Sequence, residues 1–440
     1  MTLHPVLLEK LNAGVTAVPA EYTPRDVRLP AVTGKVHAVI GMRRVGKTTF
    51  LRQLQVERGK ALGSGRAVYV GFDDDRLADI PLSQLDLLLE EYYRRNPQYR
   101  GRDRVCWLLD EIQLVSGWER FLRRMLDTER VEIVVSGSSA RLLSREIHTS
   151  LRGRGMATVI RPFGFREFLR HRGEEPAKPP RHFTAAERSA VEKRFREYLS
   201  QGGFPEVQGL NAVTRVELLQ GYVNTLLLRD IVERYGVTQV AALRWLARQA
   251  LCSPASLVSV HRLHRDLRSQ GLGIAKDALH AMLGYLVDAF LVSAVPLATD
   301  SERRRNSNPR KIYPADPALI GAFDRSGRTN LGHALETVVY NELERRKAEV
   351  GYVRTPDGRE VDFHSRFYGG KEELLQVCAD PARTETRERE LRALLEMKRE
   401  RPRARLRLLV LDASQAAAMQ TSGVMVQPVY QWLLEDKHDD

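Results

Sequence analysis

Cysteine is scarce in this chain of 440 residues: Cys106, Cys252 and Cys378 stand far apart, without a C-x-x-C pair or a histidine at metal-ligand spacing beside them. That pattern predicts free thiols and no structural zinc. Long apolar runs are missing as well. No window approaches the roughly 18 consecutive apolar residues of a membrane span. The amino terminus carries Glu9, Lys10 and Asn12 where a secretory signal would be apolar, so the expected location is cytoplasmic, with no membrane partner. Acidic residues are in deficit, 56 against 69 Lys and Arg, which gives a net charge of +13. A basic surface of this kind attracts polyanions by counterion release, although a bias toward Arg can also reflect coding composition. The local excess is sharper: from Ala241 to Lys311 there are eleven Lys or Arg against five Asp or Glu.

What is present begins with Gly41-Met-Arg-Arg-Val-Gly-Lys-Thr48, which fits G-x-x-x-x-G-K-[ST] and follows the apolar stretch Val36-His-Ala-Val-Ile40. A strand that delivers a glycine-rich loop to a helix start is what phosphate binding requires. Backbone N–H groups turn inward around the phosphate oxygens, and the helix dipole adds its positive end. Gly41, Arg43, Arg44, Val45, Gly46, Lys47, Thr48 and Thr49 are the expected nucleotide-binding residues. Lys47 should reach the β- and γ-phosphates of ATP, and the Thr48 hydroxyl should ligate Mg²⁺.

Val105-Cys-Trp-Leu-Leu-Asp-Glu111 is a second apolar strand, and it ends in two carboxylates. Asp110 is placed to hold Mg²⁺ with Thr48, and Glu111 to orient and polarise the attacking water, so the pair implies hydrolysis. A third strand, Val131–Val135, runs into Ser136-Gly-Ser-Ser139. Ser138 and Ser139 are the candidates for sensing the γ-phosphate; a plain polar turn is the competing reading. Downstream, Arg152 and Arg154 are candidates for an arginine supplied in cis or from a neighbouring subunit, and surface salt bridging is the alternative for both. Asp73-Asp-Asp75 reads as a solvated loop.

The length accommodates about three domains, and punctuation divides it further. Residues 1–30 form a leader broken by Pro5, Pro19, Pro24 and Pro30. Alternating strand and helix over 31–170 predicts an α/β fold, a parallel sheet covered on both faces. The apolar stripe Trp118, Phe121, Leu122, Met125 and Leu126 is its expected core helix. Three prolines in Glu174-Glu-Pro-Ala-Lys-Pro-Pro180 mark a boundary, and 171–236 read as a helical lid. Residues 237–322 have helix-turn-helix spacing followed by two strands, the pattern of a winged helix, with Glu302–Arg310 as the looping wing. Lys276, His280, Arg303, Arg304 and Arg305 are the candidate DNA contacts; protein docking is the other use of such a module.

From 323 to 440 the order is helix, strand, strand, strand, as in restriction-endonuclease cores. Glu336 and Asp362 are the carboxylates a metal-dependent nuclease needs. Where Glu-x-Lys is expected, the chain has Gln376-Val-Cys378, which removes one carboxylate and the lysine. Glu336, Asp362 and Gln376 therefore read as a degenerate nuclease site, its fold kept for binding or assembly.

Together these residues resemble a family of bacterial and archaeal AAA+ superfamily ATPases that join a P-loop domain to a C-terminal domain of uncharacterised function. The resemblance extends to Leu109-Asp-Glu-Ile-Gln113, Gly117-Trp-Glu119, Gly137-Ser-Ser139, Leu151-Arg-Gly-Arg154, Gly202-Gly-Phe-Pro-Glu206, Leu228-Arg-Asp230, Glu360-Val-Asp-Phe363 and Thr386-Arg-Glu-Arg-Glu390. It implies Mg²⁺-dependent ATP hydrolysis. The leading expectation is an oligomeric ATPase that moves or remodels DNA, including branched or forked DNA. The alternatives are a slow ATP-hydrolysing switch that signals to a protein, and an ATP-dependent nuclease.

Overall fold

A computed structural model describes residues 2–16, 21–137, 151–324, 330–355, 357–380 and 384–435. Ser138 and Ser139 lie outside the described residues. The chain divides into two compact units, one of Met1–Arg161 with Asp288–Phe290, the other of Pro162–Val287 with Leu291–Asp440.

The first unit opens with a helix, α1 (Pro5–Thr16). Pro5 starts it because a first-turn residue has no intrahelical N–H bond to lose. The segment read as a leader thus contributes Val6, Leu7 and Leu11 to the unit's core. Then come β1 (Val36–Ile40), α2 (Lys47–Leu62), β2 (Ala67–Gly71), α3 (Ser83–Arg95), β3 (Val105–Asp110), α4 (Trp118–Thr128), β4 (Val131–Ser136) and β5 (Gly155–Val159). The five strands form one sheet in the order β2-β3-β4-β1-β5, and every pairing is parallel. Strands covered on both faces read as continuous apolar runs, and all five residues of β1 are buried. The expected stripe on α4 buries Trp118, Phe121, Leu122 and Met125, and Tyr92 of α3 meets Trp107 of β3 edge-on at 5.1 Å between ring centroids.

This order puts the carboxyl ends of β1, β3 and β4 side by side, so the residues that follow them converge. Ligands of open α/β sheets bind at that edge.

The second unit is helical as far as Cys252 and then carries two sheets. A three-stranded antiparallel sheet has the order β6-β8-β7, from β6 (Leu257–Val258), β7 (Val292–Val295) and β8 (Arg310–Pro314). The mixed sheet has the order β13-β12-β11-β10-β9, from β9 (Glu349–Arg354), β10 (Glu360–Arg366), β11 (Glu372–Cys378), β12 (Arg405–Val410) and β13 (Met425–Pro428). There β9, β10 and β11 pair antiparallel, whereas β11, β12 and β13 pair parallel.

One segment departs from its expectation. Glu302–Ser307, read as a looping wing, is a short helix, because Ser301 caps it by accepting the Arg304 N–H at 3.4 Å. A side-chain acceptor at the N-cap satisfies a donor that the first turn leaves orphaned.

Candidate functional site: the P-loop and the ends of β3 and β4

The loop after β1 adopts backbone conformations that its residues dictate. Gly41 (φ 147°) and Gly46 (φ 92°) lie at positive φ, as does Arg44 (φ 66°). At Gly41 a Cβ would lie 2.2 Å from the Ile160 carbonyl oxygen, so only glycine lets the loop pass β5. Arg25, 7% exposed, holds the loop by donating through Nη1 to the Val45 carbonyl at 3.0 Å. Lys47 is buried and its ammonium donates to the loop's own carbonyls, Gly41 at 3.1 Å and Met42 at 2.9 Å. Thr48 and Thr49 are exposed at the start of α2, where the first-turn N–H groups are directed at an incoming anion.

At the end of β3, Asp110 is 3% exposed with both oxygens engaged. The Tyr69 hydroxyl donates to Oδ2 at 2.8 Å, and the Ser136 hydroxyl donates to Oδ1. The Ser136 oxygen also accepts the Glu111 N–H at 3.3 Å, so one serine spans both carboxylate residues. Burial and the Asp110 charge push the Tyr69 phenol well above its ordinary value, so it stays a donor. Burial likewise raises the Glu111 carboxyl, against the pull of Lys47. A carboxylate with increased proton affinity is better suited to accept a proton from water near neutral pH. Glu111 has φ 54°, and its Oε2 accepts from the Gln113 amide.

Gly41, Lys47, Thr48, Asp110 and Glu111 thus gather at one sheet edge. Tyr69, Ser136, Gln113 and Arg25 join them without having been singled out in the sequence. Ser136 belonged to the segment marked as a sensor, two and three residues before the serines chosen. Gln113 sat inside a recognised motif, whereas Tyr69 and Arg25 carried no local signal.

Arg152 and Arg154 lie at the opposite edge. The Arg154 carbonyl accepts the Val36 N–H at 2.8 Å, at the amino end of β1. The loop begins five residues further on, about 17 Å at ~3.3 Å per strand residue. Neither guanidinium reaches its own loop, which corrects the expectation of action in cis. Arg154 pairs with Asp127, and both arginines line an open cavity of about 400 Å³ with Arg120, Arg123 and Arg124.

In the second unit, Lys276 and His280 are exposed one turn apart on the helix Lys276–Asp288, with the Lys276 ammonium 3.2 Å from His261 Nδ1. Arg303 and Arg304 are exposed on the short helix, and Arg305 pairs at 3.8 Å with Glu349.

The nuclease-like centre brings Glu336 and Asp362 together and corrects one expectation. Its ammonium is not missing. Lys311 of β8, 2% exposed, lies 2.7 Å from Glu360, 2.9 Å from Asp362 and 3.0 Å from Glu336. The Glu-x-Lys spacing directed attention to β11, but the lysine arrives from a different sheet. Gln376 sits beside it, its Oε1 accepting the Asp362 N–H at 3.1 Å.

A glycine-rich loop at the switch of a five-stranded parallel sheet, with two carboxylates at the end of β3, separated from β1 by β4 alone, defines a P-loop ATPase of the AAA class. Residues 33–169 match the family described as AAA domain, and residues 192–330 match a domain of unknown function. The chain belongs to the same family as the uncharacterized protein MJ1544 of Methanocaldococcus jannaschii, to which it is 30% identical over 393 residues, 88% of this chain and 83% of the relative. An uncharacterized protein of Haemophilus influenzae is 26% identical over 337 residues, 76% of this chain and 80% of that one. Among solved structures, the Walker-type ATPase PABY2304 of Pyrococcus abyssi is similar at 14% identity, over 72% of this chain and 95% of that one, with a TM-score of 0.40. The Aeropyrum pernix ORC1 protein in complex with DNA is similar at 16% identity, over 66% and 87%, with a TM-score of 0.25. Among the described residues no helix is long and apolar enough to cross a membrane.

Proposed function

We propose that the protein is a Mg²⁺-dependent ATPase acting on DNA, with ATP hydrolysis at the P-loop driving movement of its later domains. The observation that supports hydrolysis is the Asp110-Glu111 pair, fixed by Ser136 at the sheet edge where the P-loop begins. The residues present fit the absent groups: the Gly41 cradle tolerates no Cβ, and Asp110 presents a buried, oriented carboxylate. Thr48 and Asp110 would hold Mg²⁺, which supplies neutralisation of phosphate charge when bound. Lys47 leaves the carbonyls of Gly41 and Met42 to donate to phosphate oxygens. Glu111 orients water and accepts its proton at a carboxylate oxygen.

In this reading 31–170 are the ATPase core, 171–236 a helical lid, 237–322 a winged helix and 323–440 a degenerate nuclease domain. Ser138 and Ser139 remain sensor candidates beside Ser136. Arg152 or Arg154 acts in trans within a homo-oligomer, a contribution of about 10³ to 10⁵ in rate where an arginine finger operates. Location in the cytoplasm accompanies this reading.

The exposed Lys276, His280, Arg303 and Arg304 favour DNA as the partner, with Arg305 alongside. If they bind phosphate, replacing Lys276, Arg303 and Arg304 with alanine weakens duplex or junction binding and lowers the salt slope by about one for each phosphate no longer neutralised. Unchanged binding and slope would reject this interface. One observation favours the slow regulatory switch as second reading: the Gln113 amide donates to one Glu111 carboxylate oxygen, which competes with a water for it. That reading predicts turnover changed by a protein and indifferent to DNA.

A further inference from the structure

The restriction-endonuclease resemblance implies a divalent cation between Glu336 and Asp362, and the residues do not fit one. Lys311 directs its ammonium at the oxygens such an ion would use: Glu360 Oε1, Asp362 Oδ1 and Glu336 Oε1, at 2.7, 2.9 and 3.0 Å. An ammonium has three donors, and here three carboxylates receive them.

The surrounding groups complete the arrangement. Asp362 Oδ2 accepts the Val377 N–H at 3.0 Å, and Tyr313, two residues along β8 on the same face, donates to Glu336 Oε1 at 2.5 Å. Gln376, at the position of the missing carboxylate, is neutral; its oxygen accepts from Asp362 and its amide donates to Glu390. Burial would lower the lysine's proton affinity, but Asp362, Glu336 and Glu360 together raise it above its ordinary value, which favours the charged form.

We infer that Lys311 is a tethered cation standing where a nuclease would bind its metal. It makes the C-terminal centre a metal-free, non-cleaving joint that pins β8 to the helix Leu331–Arg345 and to β10. Gln376 and Cys378 on β11 and Lys311 on β8 then fit together: the centre uses a cation that the chain carries.

Mn²⁺ binding to the nucleotide-free full chain, read by electron paramagnetic resonance, tests this in a Thr48→Ala background that removes the P-loop contribution. The Lys311-containing protein should bind no Mn²⁺ that Asp362→Asn or Glu336→Gln abolishes. Lys311→Ala should gain one Mn²⁺ per chain, lost again on adding Asp362→Asn, and its melting temperature should rise with Mn²⁺ while that of the Lys311 protein does not. A Mn²⁺ ion bound with Lys311 in place and lost in Asp362→Asn would overturn the inference, without any need for a stable Lys311 variant. So would a folded Lys311→Ala that binds no Mn²⁺.

Discussion

Replacing Asp316 with asparagine should change how stability depends on pH, by an amount the structure sets. Asp316 is 1% exposed and anchors the Gly202-Gly-Phe-Pro-Glu206 segment: Oδ2 accepts the Gly203 N–H at 2.7 Å and Oδ1 the Ala318 N–H at 2.9 Å. The approach is close enough that a Cβ on Gly202 (φ 70°) would lie 1.8 Å from Oδ1. Burial raises this carboxyl from 3.8 to about 6, despite the two N–H donors and the Arg345 charge that oppose the rise. A difference of about two between folded and unfolded values is worth ~3 kcal/mol. Because the folded value is the higher one, the contribution is complete below pH 3.8 and is lost as pH rises through 6. Asparagine cannot titrate, and it places an NH₂ against one of the two N–H groups, a loss of ~1 to 3 kcal/mol. Urea unfolding of the wild type and Asp316→Asn from pH 4 to pH 7 measures the difference between them, in which contributions from other titrating groups cancel. The wild-type advantage should be about 2.4 kcal/mol larger at pH 4 than at pH 7, because at pH 4 the unfolded carboxyl is already partly ionised. A constant advantage, or one that grows toward pH 7, would refute the argument.

Three further outcomes are expected. Tyr69→Phe removes the hydroxyl that orients Asp110, and groups that orient a metal ligand typically contribute ~10- to 100-fold, so the Mg²⁺ needed for half-maximal ATPase should rise by about tenfold or more; an unchanged Mg²⁺ titration would exclude that role. Gln113→Ala frees the Glu111 carboxylate from a charge-assisted bond of ~1.5 kcal/mol, and basal turnover should rise about tenfold if that bond restrains it. A fall in turnover would show that Gln113 instead positions Glu111 for the reaction. Arg154→Ala should remove the rise of specific activity with protein concentration that an arginine acting in trans requires, while leaving ATP binding intact; a concentration-independent rate in the wild type would remove the oligomeric arrangement.

The sequence made the nucleotide site legible because that chemistry is contiguous. A strand, a glycine-rich loop and a helix follow one another from Val36 to Leu62, and Asp110 and Glu111 are adjacent at the end of an apolar run. Legibility failed wherever a side chain arrives from a distant strand. Tyr69 is one alternating position of β2, and only the β2–β3 register brings it to Asp110, 41 residues on. Lys311 looked like a basic residue at the start of an ordinary strand, and only the packing of β8 against the helix Leu331–Arg345 puts it among three carboxylates. The expected wing failed for a local reason. Ser301 and Glu302 carry helix-start chemistry, Asn306, Ser307, Asn308 and Pro309 carry turn chemistry, and one capped turn was enough to form a helix.

The most direct measurement is steady-state ATP hydrolysis without DNA and with single strands, duplex or a four-way junction, at one low salt concentration, with Glu111→Gln as the blank. The expected result is Mg²⁺-dependent turnover that one DNA structure stimulates strongly and that Glu111→Gln abolishes. Equal rates under all four conditions would contradict action on DNA, and normal turnover in Glu111→Gln would contradict the catalytic site itself.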